Sequence, residues 1–352
     1  MNFLQLILVF LFFILNNICF SWGFFAHQRI NRLAVFTLPP EMIGFYKKHI
    51  VYLTENAVNP DRRRYAVEGE AEKHYIDIDI YGDSAVYKMP RYWAQAVAKY
   101  SEDTLKAYGI NPWHVARAQK QLTYAFKTLN AKEILRISAD LGHYVADGNV
   151  PLHTTHNYNG QYTNQYGIHG FWESRLPELF SDSYDFFTGK ADYVSNVQLR
   201  AWDATVAAHI ALDSVLRFEM QLTAEFPEDR KYSYEERNGL TTRVYSKDFS
   251  AKYHQMLNGQ VERRMRASIK MTGDLWFTAW VDAGQPDLKP LLNFKHSKED
   301  IEEMKRENEL WKQELLKVRP ETGHNNELHH KGDEHLDCCG HHHFYTLKCI
   351  RK

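Results

Sequence analysis

Residues 131–153 read AKEILRISADLGHYVADGNVPLH, and residues 169–173 read HGFWE. The run from 131 to 147 has the spacing of an amphipathic helix, and Gly148 and Pro151 break it. Within these stretches His143 and Asp147 are four residues apart, and so are His169 and Glu173. On a helix each pair leaves from one face, its side chains stacked a turn apart. The break at Gly148 and Pro151 lets His153 fold back from a loop toward the same point. A single His/Asp pair of this kind is most often a solvated surface pair. Two pairs and a loop histidine within residues 143–173 form a metal-binding pattern. Nitrogen and carboxylate donors without thiolates suit catalytic zinc better than a structural finger.

The rest of the chain is rich enough to bury a core: 44% of its 352 residues are hydrophobic and 14% aromatic. A formal net charge of −1 argues against a protein that wraps nucleic acid by bulk electrostatics. Residues 1–21, MNFLQLILVFLFFILNNICFS, read as a signal peptide cleaved after Ser21, which predicts a secreted or periplasmic protein. The run is short for a membrane span, and no positive side chain precedes it. Between Trp22 and Cys338 there is no cysteine, so the main domain depends on no disulfide.

Helical candidates run over 26–36, 91–107, 112–129, 131–147, 171–180, 196–224, 248–283 and 296–317. Asn111-Pro112 and Ser297 mark starts, the latter with Glu299 as its capping-box partner. The polar stretch 225–249 reads as a surface loop. Tyr75–Tyr81 alternates like a strand but lacks evident partners, so it reads as extended loop. The fold class is all-α, a single multi-helix bundle over 22–294. A charged helical extension follows over 295–319, read as a solvated arm. The tail 320–352 carries seven histidines and three cysteines from Gly323 onward, and reads as disordered with a metal-scavenging composition.

Other candidate ligands are scattered. Asp61 sits in VNPDRRRY and His74 in EKHYIDID; alone, the first reads as a turn residue and the second as a packed histidine. Trp22 heads WGFFAH. If it becomes the mature terminus, its amine and carbonyl can chelate a metal, with His27 a helical turn on.

At this point the chain resembles a family: the zinc-dependent phospholipases C and their relatives, the single-strand-specific three-zinc nucleases. The resemblance spans Trp22 to about Ala283. It rests on the Trp-then-His start, an isolated Asp before His-aromatic-x-Asp, H-x3-D-x5-H and H-x3-[DE], and on KMTGDLWFTAWVDAG (270–284), similar to the phospholipases' closing helix. It implies three zinc ions. Asp61, His74, His143 and Asp147 would hold the first, and His153, His169 and Glu173 the second. Trp22, His27 and a bridging Asp147 would hold the third. It further implies hydrolysis of a phosphodiester by a hydroxide shared between zincs, with Asp61 orienting or deprotonating the nucleophile. Asp77, Asp79 and Asp140 are candidates for carboxylates that orient the histidines.

Substrate signals divide. The Trp-to-His separation is nuclease-like, whereas Glu173 as last ligand, the short step from His153 to His169 and the cysteine-free core are phospholipase-like. Arg62 stands where choline-specific phospholipases carry an aromatic, and a guanidinium there repels a quaternary ammonium. Arg62 and the Arg run read either as solvated charge or as contacts to an anionic head group or nucleotide phosphate. Tyr75 stacks on a base or packs beside the zinc. The leading expectation is a phospholipase C-like diester hydrolase, with a single-strand nuclease or nucleotidase as the alternative. A non-catalytic zinc-binding protein loaded by the tail is a third reading.

Overall fold

The computed structural model describes residues 23–319 apart from Asn238 and Glu314. The expected signal peptide, Trp22 and the His/Cys-rich tail lie outside these residues. Among the described residues, seven helices have ten or more residues: α1 (Phe24–Ala34), α2 (Asn111–Lys127), α3 (Ala131–Asp147), α4 (Val197–Glu225), α5 (Lys247–Met256), α6 (Gln260–Asp282) and α7 (Lys298–Trp311). The architecture is mostly helical, as composition and periodicity predict. None of these helices is long and apolar enough to cross a membrane.

α3 is the central element. Asn130 caps it by accepting a hydrogen bond from the Glu133 N–H (3.2 Å). From Ile137 to Asp147 every residue is buried. A helix covered all round must be enclosed by others, and α1, α2 and α6 pack on it. α1 comes so close at Gly142 that a Cβ there would lie 1.9 Å from Asn31 Oδ1. The Asn31 amide meanwhile donates to the carbonyls of Leu53 (3.3 Å) and Ala139 (3.0 Å). Tyr46, Trp276 and Phe126 fill a core on one side of α3. Ile30, Trp172, Phe249 and Met265 belong to a second core, which Ala146 joins at the helix end.

Several boundaries differ from the periodicity. The 91–107 segment is two helices, Trp93–Tyr100 and Glu102–Ala107, parted at Ser101 (φ 69°). Ser101 breaks the first and caps the second, its Oγ accepting from the Thr104 N–H. The 248–283 segment likewise splits into α5 and α6 at Asn258 and Gly259, both at positive φ. The capping-box partner of Ser297 is Asp300 rather than Glu299, because the third helical position is the one whose side chain reaches back.

The stretch 225–249 is not a plain loop. It holds a short helix (Glu228–Lys231) and an antiparallel hairpin, β1 (Tyr232–Arg237) and β2 (Leu240–Tyr245), with Tyr232 opposite Tyr245. Asn-Gly at 238–239 between runs of Tyr, Thr and Val is a strong hairpin signal; the polarity of the outward-facing positions hid it. The hairpin docks on the segment that carries Glu173, with Tyr245 stacked on Phe171 at 3.8 Å. Arg175 also pairs with Glu235 and donates to the Tyr245 carbonyl (3.2 Å).

Tyr75–Tyr81 forms no strand. Its backbone is pinned instead to the start of α2 and to the His153 loop: Asn111 N–H to Tyr75 O (3.1 Å), Ile76 N–H to His153 O (2.9 Å) and Asp77 N–H to Tyr108 O (2.7 Å). These bonds satisfy buried polar groups without a sheet and fix the position of His74.

Candidate metal centre

Five parts of the chain meet at the C-terminal end of α3. α1 brings His27, the short helix Asn59–Arg63 brings Asp61, and the pinned segment brings His74. α3 supplies His143 and Asp147, and the turns after it supply His153, His169 and Glu173. All eight are buried.

Their donor atoms form interlocking sets. His74 Nδ1, His143 Nε2 and an Asp147 oxygen come together, with Asp147 Oδ2 3.0 Å from His74 and 3.2 Å from His143. Asp61 Oδ1 joins them, 3.3 Å from His143 Nε2 and 3.5 Å from His74 Nδ1. His153 and His169 converge on Glu173 Oε2 at 3.4 and 2.7 Å. Between these two sets lies His27, whose Nε2 is 3.4 Å from Asp147 Oδ1 and 3.4 Å from Glu173 Oε1. Each of the two carboxylates thus turns one oxygen to its own set and the other to His27.

The residues fit a metal cluster by the orientation of their lone pairs. His143 gives its Nδ1–H to the Ala57 carbonyl (2.9 Å), and His153 gives its own to the His74 carbonyl (2.6 Å). In its neutral form each ring therefore presents Nε2 as an acceptor to the interior, the tautomer a metal ligand needs. Packing His143 Nε2 3.1 Å from His74 Nδ1 places two such nitrogens face to face, which calls for a shared cation or proton. Buried His, Asp and Glu groups in this arrangement could hold a metal ion.

Without metal, protons play that part. Burial disfavours charge on His143, but Asp147 and Asp61 outweigh it and raise its pKa well above the ordinary value. Burial likewise opposes charge on His153, and Asp147 and Glu173 raise it. His74 is pushed down to about 4, chiefly by burial and despite its bond to Asp147. Burial favours the neutral forms of Asp147 and Glu173, yet the surrounding histidines hold both below the usual carboxylate range.

Local geometry departs from the regular helix expected at 169–173. Residues Phe171–Arg175 form a π-turn, and Pro177, which has no N–H for the Glu173 carbonyl and crowds it, follows directly. Such widened turns recur at functional sites, and His169 still meets Glu173.

Other predicted residues fall elsewhere. Arg62 is exposed, with its guanidinium 5.4 Å from the Phe24 ring. The Arg run is not a solvated face. Arg63 pairs with Asp140 (3.0 Å) and Glu70 (3.1 Å), and Arg64 is only 1% exposed. The three aspartates proposed to orient histidine ligands have other partners. Asp140 holds Arg63, Asp79 accepts from Thr155 and the His156 backbone, and Asp77 bonds His156 and Arg319. The carboxylate that lies against a ligand is Glu70, 3.8 Å from His74 Nε2 and also bonded to Tyr144. Its four-residue spacing from His74 is legible in the sequence. Tyr75 is buried next to His74, and the Arg319 guanidinium lies 4.0 Å from its ring centre and 3.9 Å from that of Tyr158.

No family model matches this chain, and a search of curated proteins finds no match.

Proposed function

We propose that the chain is an exported zinc-dependent hydrolase of phosphoric diesters, akin to the zinc phospholipases C and three-zinc nucleases it resembles. The observation that carries this reading is the interlocking of the donor sets through Asp147 and Glu173. Adjacent divalent cations suit a reaction in which charge develops on several phosphoryl oxygens at once. The first set would be Asp61, His74, His143 and Asp147, and the second His153, His169 and Glu173. His27 and Asp147, with Glu173 Oε1 near and Trp22 expected from the resemblance, would form the third.

When bound, zinc supplies Lewis acidity toward the phosphoryl group and lowers the pKa of water to near neutral. The protein's own part is positional. Asp61 faces His74 and His143 through Oδ1, and is the carboxylate we assign to orient the attacking water and take its proton. The carbonyl anchors on His143 and His153 hold the ligand rings in place, so little reorganisation accompanies reaction.

On substrate, one observation favours the second reading, single-stranded nucleic acid. Tyr75 and Tyr158 face one planar group, the Arg319 guanidinium, at 4.0 and 3.9 Å to their ring centres. A slot of that width suits one aromatic base. The loop beside it adds Tyr162 and Tyr166, both well exposed and polar-tipped, rather than the aliphatic rim an acyl chain needs.

The test is zinc content and turnover of the chain beginning at Trp22. Three zincs per chain and cleavage of single-stranded DNA in preference to a lipid diester are expected. Fewer than two bound zincs would sink the cluster. Asp61→Asn should lower turnover by about 100-fold or more with the helical circular dichroism unchanged.

A further inference from the structure

The segment after α7 does not project into solvent. The Leu316 N–H donates to the Tyr65 carbonyl at 2.8 Å. Leu316 and Val318 are half-buried while Leu315 and Lys317 are exposed, the alternation of an extended strap lying on a surface. α7 itself is tethered by Lys132, which reaches Asp300 (2.6 Å) and Glu303 (2.8 Å). Within this stretch the side chain of Arg319 is only 12% exposed. Its guanidinium lies between the rings of Tyr75 and Tyr158 and donates to Asp77 and to the Thr155 carbonyl.

The contacts of Arg319 adjoin the candidate metal centre. Tyr75 follows His74, Asp77 is three residues past it, and Thr155 is two residues past His153. A stacked guanidinium with an edge-on carboxylate offers the same flat face and donor edge as an amino-bearing nucleobase.

We propose that residues 315–319 are an autoinhibitory strap, with Arg319 occupying the slot that receives a planar group of the substrate. This inference rests on the functional reading above for its biological meaning, but the occupancy of the slot is tested independently of turnover. A tethered ligand acts at a high effective concentration, so even a weak contact keeps the slot filled until substrate competes.

The experiment uses the full, zinc-loaded chain. A variant combining Leu316→Pro, which removes the N–H bound to Tyr65, with Arg319→Ala releases both anchors. A fluorescent peptide of residues 312–323 should bind this variant at least about tenfold more tightly than the wild type, and the same peptide with alanine for Arg319 should bind neither. Equal binding to variant and wild type, or binding that ignores Arg319, overturns the strap whether or not either protein hydrolyses anything. With single-stranded dinucleotides the variant should show a KM about tenfold lower at similar kcat, restored by the peptide acting competitively. A kcat/KM at or below that of the wild type would make Arg319 a substrate-binding residue and overturn the proposal. Absence of hydrolysis in both proteins would refute the functional reading alone, leaving the peptide measurement to decide the strap.

Discussion

Glu70 shows how a single side chain can matter without touching an ion. It is 1% exposed and sits among Arg63, Lys73, Tyr144 and His74. Burial alone would raise its pKa, but Arg63 and Lys73 hold it well below the usual carboxylate range. It therefore stays charged and faces the outer nitrogen of His74, favouring a ring whose inner nitrogen is a good donor. A carboxylate hydrogen-bonded to a ligating histidine typically contributes a factor of 10–100 in metal affinity, and Glu70 stands just beyond that distance from His74. Glu70→Gln should weaken zinc binding by about that factor, measured by competition with a chromogenic chelator. An unchanged affinity would show that the 3.8 Å approach to His74 is incidental. Asp147 is the residue whose neighbours the sequence traced furthest, because its spacing from His143 and the His-Tyr-x-Asp stretch around His74 are both local patterns. That its second oxygen faces His27 was expected from the family resemblance and not from any local spacing.

Among elements, the crossing of α1 and α3 governs the site, since these helices carry His27, His143 and Asp147. Gly142 lets them approach. Gly142→Ala would gain about 1 kcal/mol of helix propensity. Against that stands a methyl group 1.9 Å from Asn31 Oδ1, on a side chain already bonded to two carbonyls. Overpacking of this kind costs about 1–3 kcal/mol, and each buried hydrogen bond broken in relieving it costs about 1–3 kcal/mol more. The clash should win. The variant is expected to unfold at lower urea concentration by about 2–4 kcal/mol in total; a neutral or stabilised variant would mean the helices separate freely. α3 itself was readable to the residue at both ends, because Asn130 and Gly148 are local signals. The splits at Ser101 and at Asn258-Gly259 were not, as they depend on positive φ angles that apolar spacing does not report. The hairpin was readable in principle from its Asn-Gly pair, and polarity outweighed it.

For the molecule as a whole, the buried cluster links metal, protons and stability. His143 and His153 have raised pKa values in the metal-free fold. Their imidazolium–carboxylate pairs thus stabilise that fold at pH below the ordinary histidine range. This contribution is lost as pH rises through the raised values. Zinc requires the same nitrogens deprotonated, so its affinity climbs over that interval. The gain in melting temperature on adding zinc to chelator-stripped protein should therefore increase from pH 6 to pH 8. Ligand at a hundred times its dissociation constant contributes about 2.7 kcal/mol per site, which is several degrees for a chain of this size. A zinc effect that is flat or falls with pH would contradict the assignment of these histidines as ligands.

The sequence by itself determined the helical class, the limits of α3 and the residue types of the donor set, because helix periodicity, caps and four-residue spacings act over one or two turns. The tertiary structure decided which of those residues meet. It brought Glu70 rather than Asp77, Asp79 or Asp140 toward His74, Glu173 to His27, and Arg319 against the rings of Tyr75 and Tyr158. Those contacts join residues as far as 244 positions apart in the chain, and only the burial of shared apolar surface, which no local pattern encodes, brings them together.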